Sequence, residues 1–164
     1  MGAGSETTAV GGLVATLTLL DHPEVLERLR ADRSLIPNAV KEILRYGFPG
    51  MLPRYAVDDF ELRGKAIRKG QMVMLSLTGA HRDPAVFPDP ERFDIERDTS
   101  DVTIFGHGPH YCLGVHLALA ELRGVVDAML DFLPANARHR PDLVRWRRVP
   151  LFRRPENLPA DFGG

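Results

Sequence analysis

The stretch that decides the fold is Phe105–Gly114, FGHGPHYCLG, which contains the single cysteine of this 164-residue chain. An apolar segment, Val115–Leu122, follows it directly, and its spacing predicts a helix. A glycine-rich loop therefore delivers the Cys112 thiol to a helix N-terminus. Unpaired backbone N–H groups and the positive end of the helix dipole stabilise a thiolate at such a place.

One thiolate on its own is typical of one kind of metal site. Zinc and iron–sulfur sites collect several protein ligands, whereas the porphyrin of haem fills the equatorial plane and leaves an axial position for sulfur. The alternative for a lone thiol is an inert buried cysteine. The glycines around Cys112, together with His110, favour the haem ligand.

The loop resembles the haem-binding signature of the cytochrome P450 family, Phe-Gly-x-Gly-x-His-x-Cys-x-Gly. The matching residues are Phe105, Gly106, Gly108, His110, Cys112 and Gly114. The resemblance implies that Cys112 is the proximal ligand of a haem b iron. It also implies that His110 approaches a haem propionate and that Phe105 packs near the sulfur.

The glycines of this loop each have a physical reason. Gly106 and Gly108 allow tight turns with positive φ, and Gly114 lets the following helix begin close to the porphyrin.

Composition and charge narrow the class of protein. With 44% hydrophobic and 26% charged residues, the chain is ordinary for a globular protein with one core. The net charge of −1 gives no reason to expect binding to nucleic acid or to a membrane surface. The longest apolar stretch, Ala9–Leu20, is too short to span a bilayer, and no secretory signal is visible. We therefore expect a cytoplasmic protein.

The resemblance implies a mainly α fold with small β-sheets (α+β), namely the C-terminal part of the cytochrome P450 fold. It extends over 1–164 as one partial domain, and the N-terminal half of the family is expected to be absent. The predicted segments are a remnant of the distal helix (1–20), helices (22–46), a small β region (51–78), a meander (82–104), the haem-thiolate loop (105–114), the proximal helix (113–132) and a C-terminal β tail (136–164).

A charged pair in the third predicted helix resembles the Glu-x-x-Arg motif of the same family. Glu42 and Arg45 lie three residues apart and so share one helix face. On its own such a pair is commonly a surface ion pair. The resemblance implies a buried structural network whose third member is Arg92.

The start of the chain resembles the oxygen-activation segment of the family, with Glu6 and Thr7 at the positions of the acid and the hydroxyl. These two groups would relay protons during oxygen activation. An ordinary helix N-cap is the alternative, because Ser or Thr near Glu is common at helix starts.

Further matches concern the surroundings of the haem. Arg54 stands where the family commonly has an arginine that faces a haem propionate, although a solvated arginine at a strand end is the alternative. Residues 48–52 match a segment that often lines the substrate pocket. Ala80–Pro84 matches the family's Ala-Asn-Arg-Asp-Pro, with His81 in place of the asparagine.

The function that the resemblance implies is a haem-thiolate monooxygenase, which inserts one oxygen atom of O2 into an apolar small molecule. A ferredoxin with its ferredoxin reductase would supply electrons. An N-terminal complementing polypeptide or self-association would complete the fold. The alternatives are a non-catalytic haem-binding or helper protein and an inactive truncated fragment.

Overall fold

Helices account for most of the regular structure in residues 2–149 and 152–162, which are the residues that the computed structural model describes. The helices are α1 (Gly2–Asp21), α2 (Pro23–Ala31), α3 (Ile36–Gly47), α4 (Leu77–Ala80) and α5 (Val115–Phe132). The strands are β1 (Met51–Tyr55), β2 (Phe60–Leu62), β3 (Lys65–Ile67), β4 (Met72–Ser76), β5 (Arg138–His139), β6 (Trp146–Val149), β7 (Phe152–Pro155) and β8 (Ala160–Asp161). This architecture confirms the predicted mainly α fold with small sheets.

The hydrophobic core lies where α1, α3 and α5 pack together. Leu19 of α1, Ile43 of α3 and Val126 of α5 are almost completely removed from solvent, and Leu29 of α2 joins them. Burial of an aliphatic side chain of this size contributes about 1.5–3 kcal/mol. The apolar stripes of these helices therefore supply the main stabilisation. Within the described part of the chain, no helix has both the length and the apolar character needed to cross a bilayer.

The segment between α3 and α4 forms two antiparallel pairs of strands. β1 pairs with β4, and Leu52 lies opposite Leu75 in this pair. β2 pairs with β3 through the tight turn Arg63–Gly64, in which both residues have positive φ, 48° and 75°. Such a turn matches the twist of the flanking strands. Met51, Leu52 and Arg54 of β1 line the same cavity as residues of the segment Phe105–Gly114.

Residues 82–104, the predicted meander, contain turns but neither helix nor strand. One of these turns has the hydrogen bond of a single helical turn, because the Phe87 N–H donates to the Asp83 carbonyl at 2.8 Å. Asn38 of α3 holds the end of this segment, since its side-chain amide donates to the Ile95 carbonyl at 2.8 Å and accepts from the Thr99 hydroxyl at 2.8 Å. Side-chain hydrogen bonds thus replace a backbone ladder in fixing this segment.

The C-terminal tail forms two further antiparallel pairs, β5 with β8 and β6 with β7. Parts of the predicted β tail, residues 150–151 and 163–164, lie outside the described residues.

Gly47 marks the closest approach of α3 to α1. A Cβ at this position would lie 2.6 Å from Val14 Cγ1 and 3.1 Å from Thr18 Oγ1. The sequence predicts Gly47 as a helix stop, and α3 does end there. The structural reason for glycine is nevertheless the contact between helices, since its backbone is not left-handed.

We expect Gly47→Ala to lower the free energy of unfolding by about 1–3 kcal/mol, because the added methyl group overpacks the contact between α3 and α1. Gly124→Ala in α5 is the matched control. A Cβ there meets no described atom within 4 Å, so the better helix propensity of alanine should raise stability by up to about 1 kcal/mol. Denaturant unfolding measures both variants, and effects of the same sign would contradict the assignment.

Candidate functional site

A largely apolar cavity of about 330 Å³ lies between α1, the start of β1 and the loop before α5. This volume falls within the usual range for small-molecule sites, roughly 300–1,000 Å³. The cavity wall includes several of the predicted site residues: Thr7, Arg54, Phe105, Gly106, His110 and Cys112. Among the described residues, Glu6 and Gly114 are site predictions that do not line it. The segment 48–52, predicted to face a ligand, also forms part of the wall.

The Phe105–Gly114 segment, called the Cys112 loop below, is shaped by its own backbone hydrogen bonds. The Gly106 N–H donates to the Thr103 carbonyl at 2.9 Å, and the Cys112 N–H donates to the Phe105 carbonyl at 2.9 Å. Gly106 and Gly108 have φ values of 78° and 64°, a region in which a side chain is strained. The predicted need for glycine at these two positions is therefore confirmed.

The thiol of Cys112 is half-buried and not part of a disulfide. It precedes α5, whose N-cap is Gly114. The Val115 N–H lies 3.4 Å from the Cys112 carbonyl, so the loop leads directly into the helix. The thiol thus stands at the wall of the cavity and close to the positive end of the α5 dipole.

Gly114, the N-cap of α5, has open space beside its Cα. Its φ of −91° is open to any residue, and a Cβ there would meet no described atom within 4 Å. The chain itself therefore gives no reason for glycine at this position. A flat group bound against the start of α5 would give one.

The donor set of the site fits haem as well. Within the described part of the chain, no group of three or more His, Cys, Asp or Glu residues could hold a metal ion. Cys112 is thus a lone sulfur donor beside an apolar cavity, an arrangement that suits a thiolate-ligated haem iron. Arg54 and His110 add cationic or polar groups to the same wall, where haem carboxylates could be bound.

Thr7 and Glu6 occupy adjacent positions of α1. Both residues are exposed, and Thr7 lines the cavity whereas Glu6 does not. Successive helical residues point about 100° apart, so the two side chains point in different directions. Of the two, only Thr7 forms part of the cavity wall.

Behind the Cys112 loop, Glu42 and Arg45 form a completely buried ion pair. Arg45 Nε donates to Glu42 Oε2 at 2.6 Å, and Arg45 Nη2 donates to Glu42 Oε1 at 2.9 Å. Arg45 Nη1 also donates to the carbonyls of His81 and Pro90, at 2.8 and 2.9 Å. The pair thus binds the meander to α3, and the forked guanidinium satisfies its buried N–H groups through these contacts.

The prediction that Arg92 supplies the third buried charge is wrong. The Arg92 side chain is 71% exposed, and only its backbone carbonyl accepts from Arg45, at 3.3 Å. Arg97 takes this place, since its side chain is 10% exposed and its Nε donates to Glu42 Oε1 at 3.3 Å. Its other nitrogens donate to the carbonyls of Pro88, at 2.6 Å, and Asp89, at 3.0 Å.

The turn at Asp94 explains this difference. The Asp94 N–H donates to Glu42 Oε1 at 3.0 Å, and the Arg97 N–H donates to the Asp94 carbonyl at 3.0 Å. This turn directs Arg97 back toward Glu42, while Arg92 points outward near Asp94. In the sequence, the spacing Asp-x-x-Arg at 94–97 is the pattern from which a turn ending at Arg97 could have been predicted.

His81 is a further residue whose role the sequence did not show. It is completely buried, and its Nε2 accepts the Thr103 N–H at 3.1 Å. Burial, and then the positive charges of Arg45 and Arg82, lower the pKa of His81 from 6.5 to about 4. The imidazole is therefore neutral near pH 7.

Comparison with known protein sequences finds a clear family match. The cytochrome P450 family model matches residues 1–133. The cytochrome P450 monooxygenase PikC of Streptomyces venezuelae is 43% identical over 162 residues, which are 96% of this chain and 38% of PikC. The biotin biosynthesis cytochrome P450 of Bacillus subtilis is 42% identical over 163 residues, 98% of this chain and 40% of that protein. The chain thus spans about two fifths of the length of these relatives.

Solved structures give the same answer for the fold. The crystal structure of P450BioI in complex with an acyl carrier protein ligated to hexadec-9Z-enoic acid matches with a TM-score of 0.89 and 40% identity. It covers 98% of this chain and 42% of P450BioI. The ligand-free P450 monooxygenase TamI matches with a TM-score of 0.90 and 38% identity, over 98% of this chain and 40% of TamI.

Arg97, which contacts Glu42, and Arg92, which is exposed, give a matched pair of variants. We expect Arg97→Ala to lower the free energy of unfolding by about 3 kcal/mol or more, because it removes a nearly buried charge that pairs with the fully buried carboxylate of Glu42. Arg92→Ala should change it by less than about 0.5 kcal/mol, since that side chain is mainly in solvent. Thermal or denaturant unfolding distinguishes the two, and a larger effect at Arg92 would contradict the observed cluster.

Proposed function

The chain belongs to the cytochrome P450 family, and on this premise we propose that it forms the haem-thiolate part of a monooxygenase. The reaction that we propose inserts one oxygen atom of O2 into an apolar small molecule. The observation that carries this proposal is the Cys112 thiol at the wall of an apolar cavity. The P450 family implies a haem cofactor, and we propose haem b for this chain. A haem attached through two thioether bonds would need two cysteines, and the sequence contains only Cys112.

Haem, when bound, supplies the activation of dioxygen, and a thiolate ligand favours cleavage of the O–O bond. The chain supplies binding and orientation. Cys112 would bind the haem iron through its sulfur, with Phe105 packed beside it. Arg54 and His110 would hold the haem carboxylates by charge-assisted hydrogen bonds.

Thr7 and Glu6 would provide the protons that the reduction of one oxygen atom to water requires. Thr7 lines the cavity, where its hydroxyl would hold a proton next to the reacting atoms. The exposed carboxyl of Glu6 would exchange protons with solvent and restore the one that Thr7 gives up. We assign the cavity side of the relay to Thr7 because Glu6 does not line the cavity.

The proposed substrate is an apolar small molecule, because the wall formed by residues 48–52 is mainly apolar. The P450 family implies an electron donor, and a ferredoxin with its ferredoxin reductase is the pair that we propose. A cytoplasmic location stays a prediction.

The first test measures haem ligation. After reconstitution with haem, reduction and addition of carbon monoxide, the protein should show the Soret band characteristic of thiolate ligation. Cys112→Ala should abolish this band completely, because no other cysteine can replace the ligand. His107→Ala changes an exposed side chain of the same loop and should leave the band unchanged. A Cys112→Ala variant that retains the band would overturn the assignment of the ligand.

A second prediction concerns proton delivery. Thr7→Ala should leave the thiolate band intact but lower the yield of product per O2 consumed by about tenfold or more, because the hydroxyl no longer supplies protons. Thr16→Ala is the control on the same helix, since the Thr16 hydroxyl donates to the Gly12 carbonyl at 2.9 Å. Oxygen-electrode and product assays with a surrogate redox system measure the ratio. Equal yields in the Thr7→Ala and Thr16→Ala variants would refute the relay.

A further inference from the structure

His81 connects the buried ion pair to the Cys112 loop. Its backbone carbonyl accepts from Arg45 Nη1 at 2.8 Å, and its ring Nε2 accepts from the Thr103 N–H at 3.1 Å. The Thr103 carbonyl then accepts from the Gly106 N–H at 2.9 Å. A continuous path of hydrogen bonds therefore runs from Arg45 through His81 to the turn Thr103–Gly106, which begins the Cys112 loop.

The path continues to the proposed haem ligand. Phe105 lies inside the turn, and its carbonyl accepts the Cys112 N–H at 2.9 Å. The position of Cys112 is thus linked to that of Phe105, and the position of Phe105 depends on the turn that the imidazole of His81 holds. A backbone shift at Thr103 would therefore change the position of Cys112 through two hydrogen bonds, the one from the Gly106 N–H and the one from the Cys112 N–H.

The Thr103 hydrogen bond determines the tautomer of His81. A backbone N–H can only donate, so Nε2 must carry the lone pair and the neutral ring carries its proton on Nδ1. Nδ1 is buried and has no hydrogen-bond partner among the described residues. An unpaired buried donor lowers the stability of the folded state. Its presence indicates that the histidine serves through the hydrogen bond that Nε2 accepts.

The charges around His81 oppose its protonation. The side chains that act on it are Arg45 of α3 and the neighbouring Arg82, both positive, and Glu42 of α3, which is negative but already paired with Arg45. The ring of Phe87 packs edge-on against the imidazole at a centroid distance of 5.9 Å and offers no charge. The chain therefore maintains a neutral imidazole at a position that solvent does not reach.

We propose that His81 is a positioning residue of the haem-thiolate site, which holds the Cys112 loop in place as a neutral hydrogen-bond acceptor and releases it on protonation. A protonated ring would carry N–H groups on both nitrogens, so Nε2 would face the Thr103 N–H donor against donor. The inference rests on the proposed function only in taking Cys112 as the haem ligand. The geometry of the loop can be tested without haem.

The sign of the pH effect follows from the pKa of His81. Its value is about 4 in the folded protein and near 6.5 in the unfolded chain. The folded state therefore loses stability as the pH falls below 6.5, and the ring within the folded protein gains its proton near pH 4. The hydrogen bond from the Thr103 N–H to Nε2 should be intact at pH 7 and lost near pH 4, when a protonated Nε2 can only donate, as to the Thr103 hydroxyl oxygen 3.4 Å away.

The test is residue-resolved amide hydrogen exchange of the protein without haem, between pH 7 and pH 4. Amides in the middle of α3 and α5 should lose protection only through the fall in global stability. We expect the protection factor of the Thr103 amide to fall about tenfold or more beyond that over this range, with a smaller additional fall at Gly106. His81→Gln, whose side chain can place a non-titrating acceptor near the position of Nε2, should keep the protection of Thr103 at both pH values. His116→Gln, at an exposed position of α5, should behave as the wild type.

The outcomes separate this inference from the proposed function. His81→Leu should lose Thr103 protection at both pH values, and if it fails to fold, the comparison of wild type with His81→Gln still decides. A wild-type Thr103 protection factor independent of pH, an equal fall in His81→Gln, or an equal fall throughout α3 and α5 would overturn the role of His81. With haem, the thiolate band should persist to lower pH in His81→Gln than in the wild type. A band absent from every variant would instead refute the proposed function.

Discussion

The buried pair Glu42–Arg45 is the interaction on which the arrangement of this protein depends. A guanidinium and a carboxylate that are both removed from water are tolerated only if each polar atom finds a partner. Arg45 meets this demand by donating to Glu42 and to carbonyls of residues 81–92. The meander contains neither helix nor strand, so its course is set by the buried charge and by Asn38, which both lie on α3.

Two features act on the Cys112 loop, a polar network and an apolar cavity. Hydrogen bonds from Arg45 through His81 hold the turn that starts the loop. The loop in turn presents Cys112 to a cavity whose wall is mostly apolar. A weakly hydrated pocket strengthens electrostatic interactions with the sulfur, and a rigid backbone keeps the sulfur at one position. The proposed monooxygenase chemistry needs both conditions.

Much of the fold and of the site could be predicted from the sequence because the signals are local. The motif around Cys112 occupies consecutive residues, and the positive φ of Gly106 is a property of the loop itself. The helix starts follow from apolar spacing and from Pro23 and Pro37, which occupy first turns. The fold class and membership in the cytochrome P450 family are confirmed, whereas the roles of the individual site residues stay predictions.

By itself, the amino-acid sequence determined the helices, the Cys112 loop and the pairing of Glu42 with Arg45, because each depends on residues a few positions apart. Only the tertiary structure decided that Arg97, and not Arg92, reaches Glu42, and that the His81 ring accepts a hydrogen bond from Thr103. Arg97 and Glu42 lie 55 positions apart in the chain, and His81 and Thr103 lie 22 positions apart. Which of several arginines or histidines becomes buried depends on how the meander folds back onto α3, and no local pattern specifies that path.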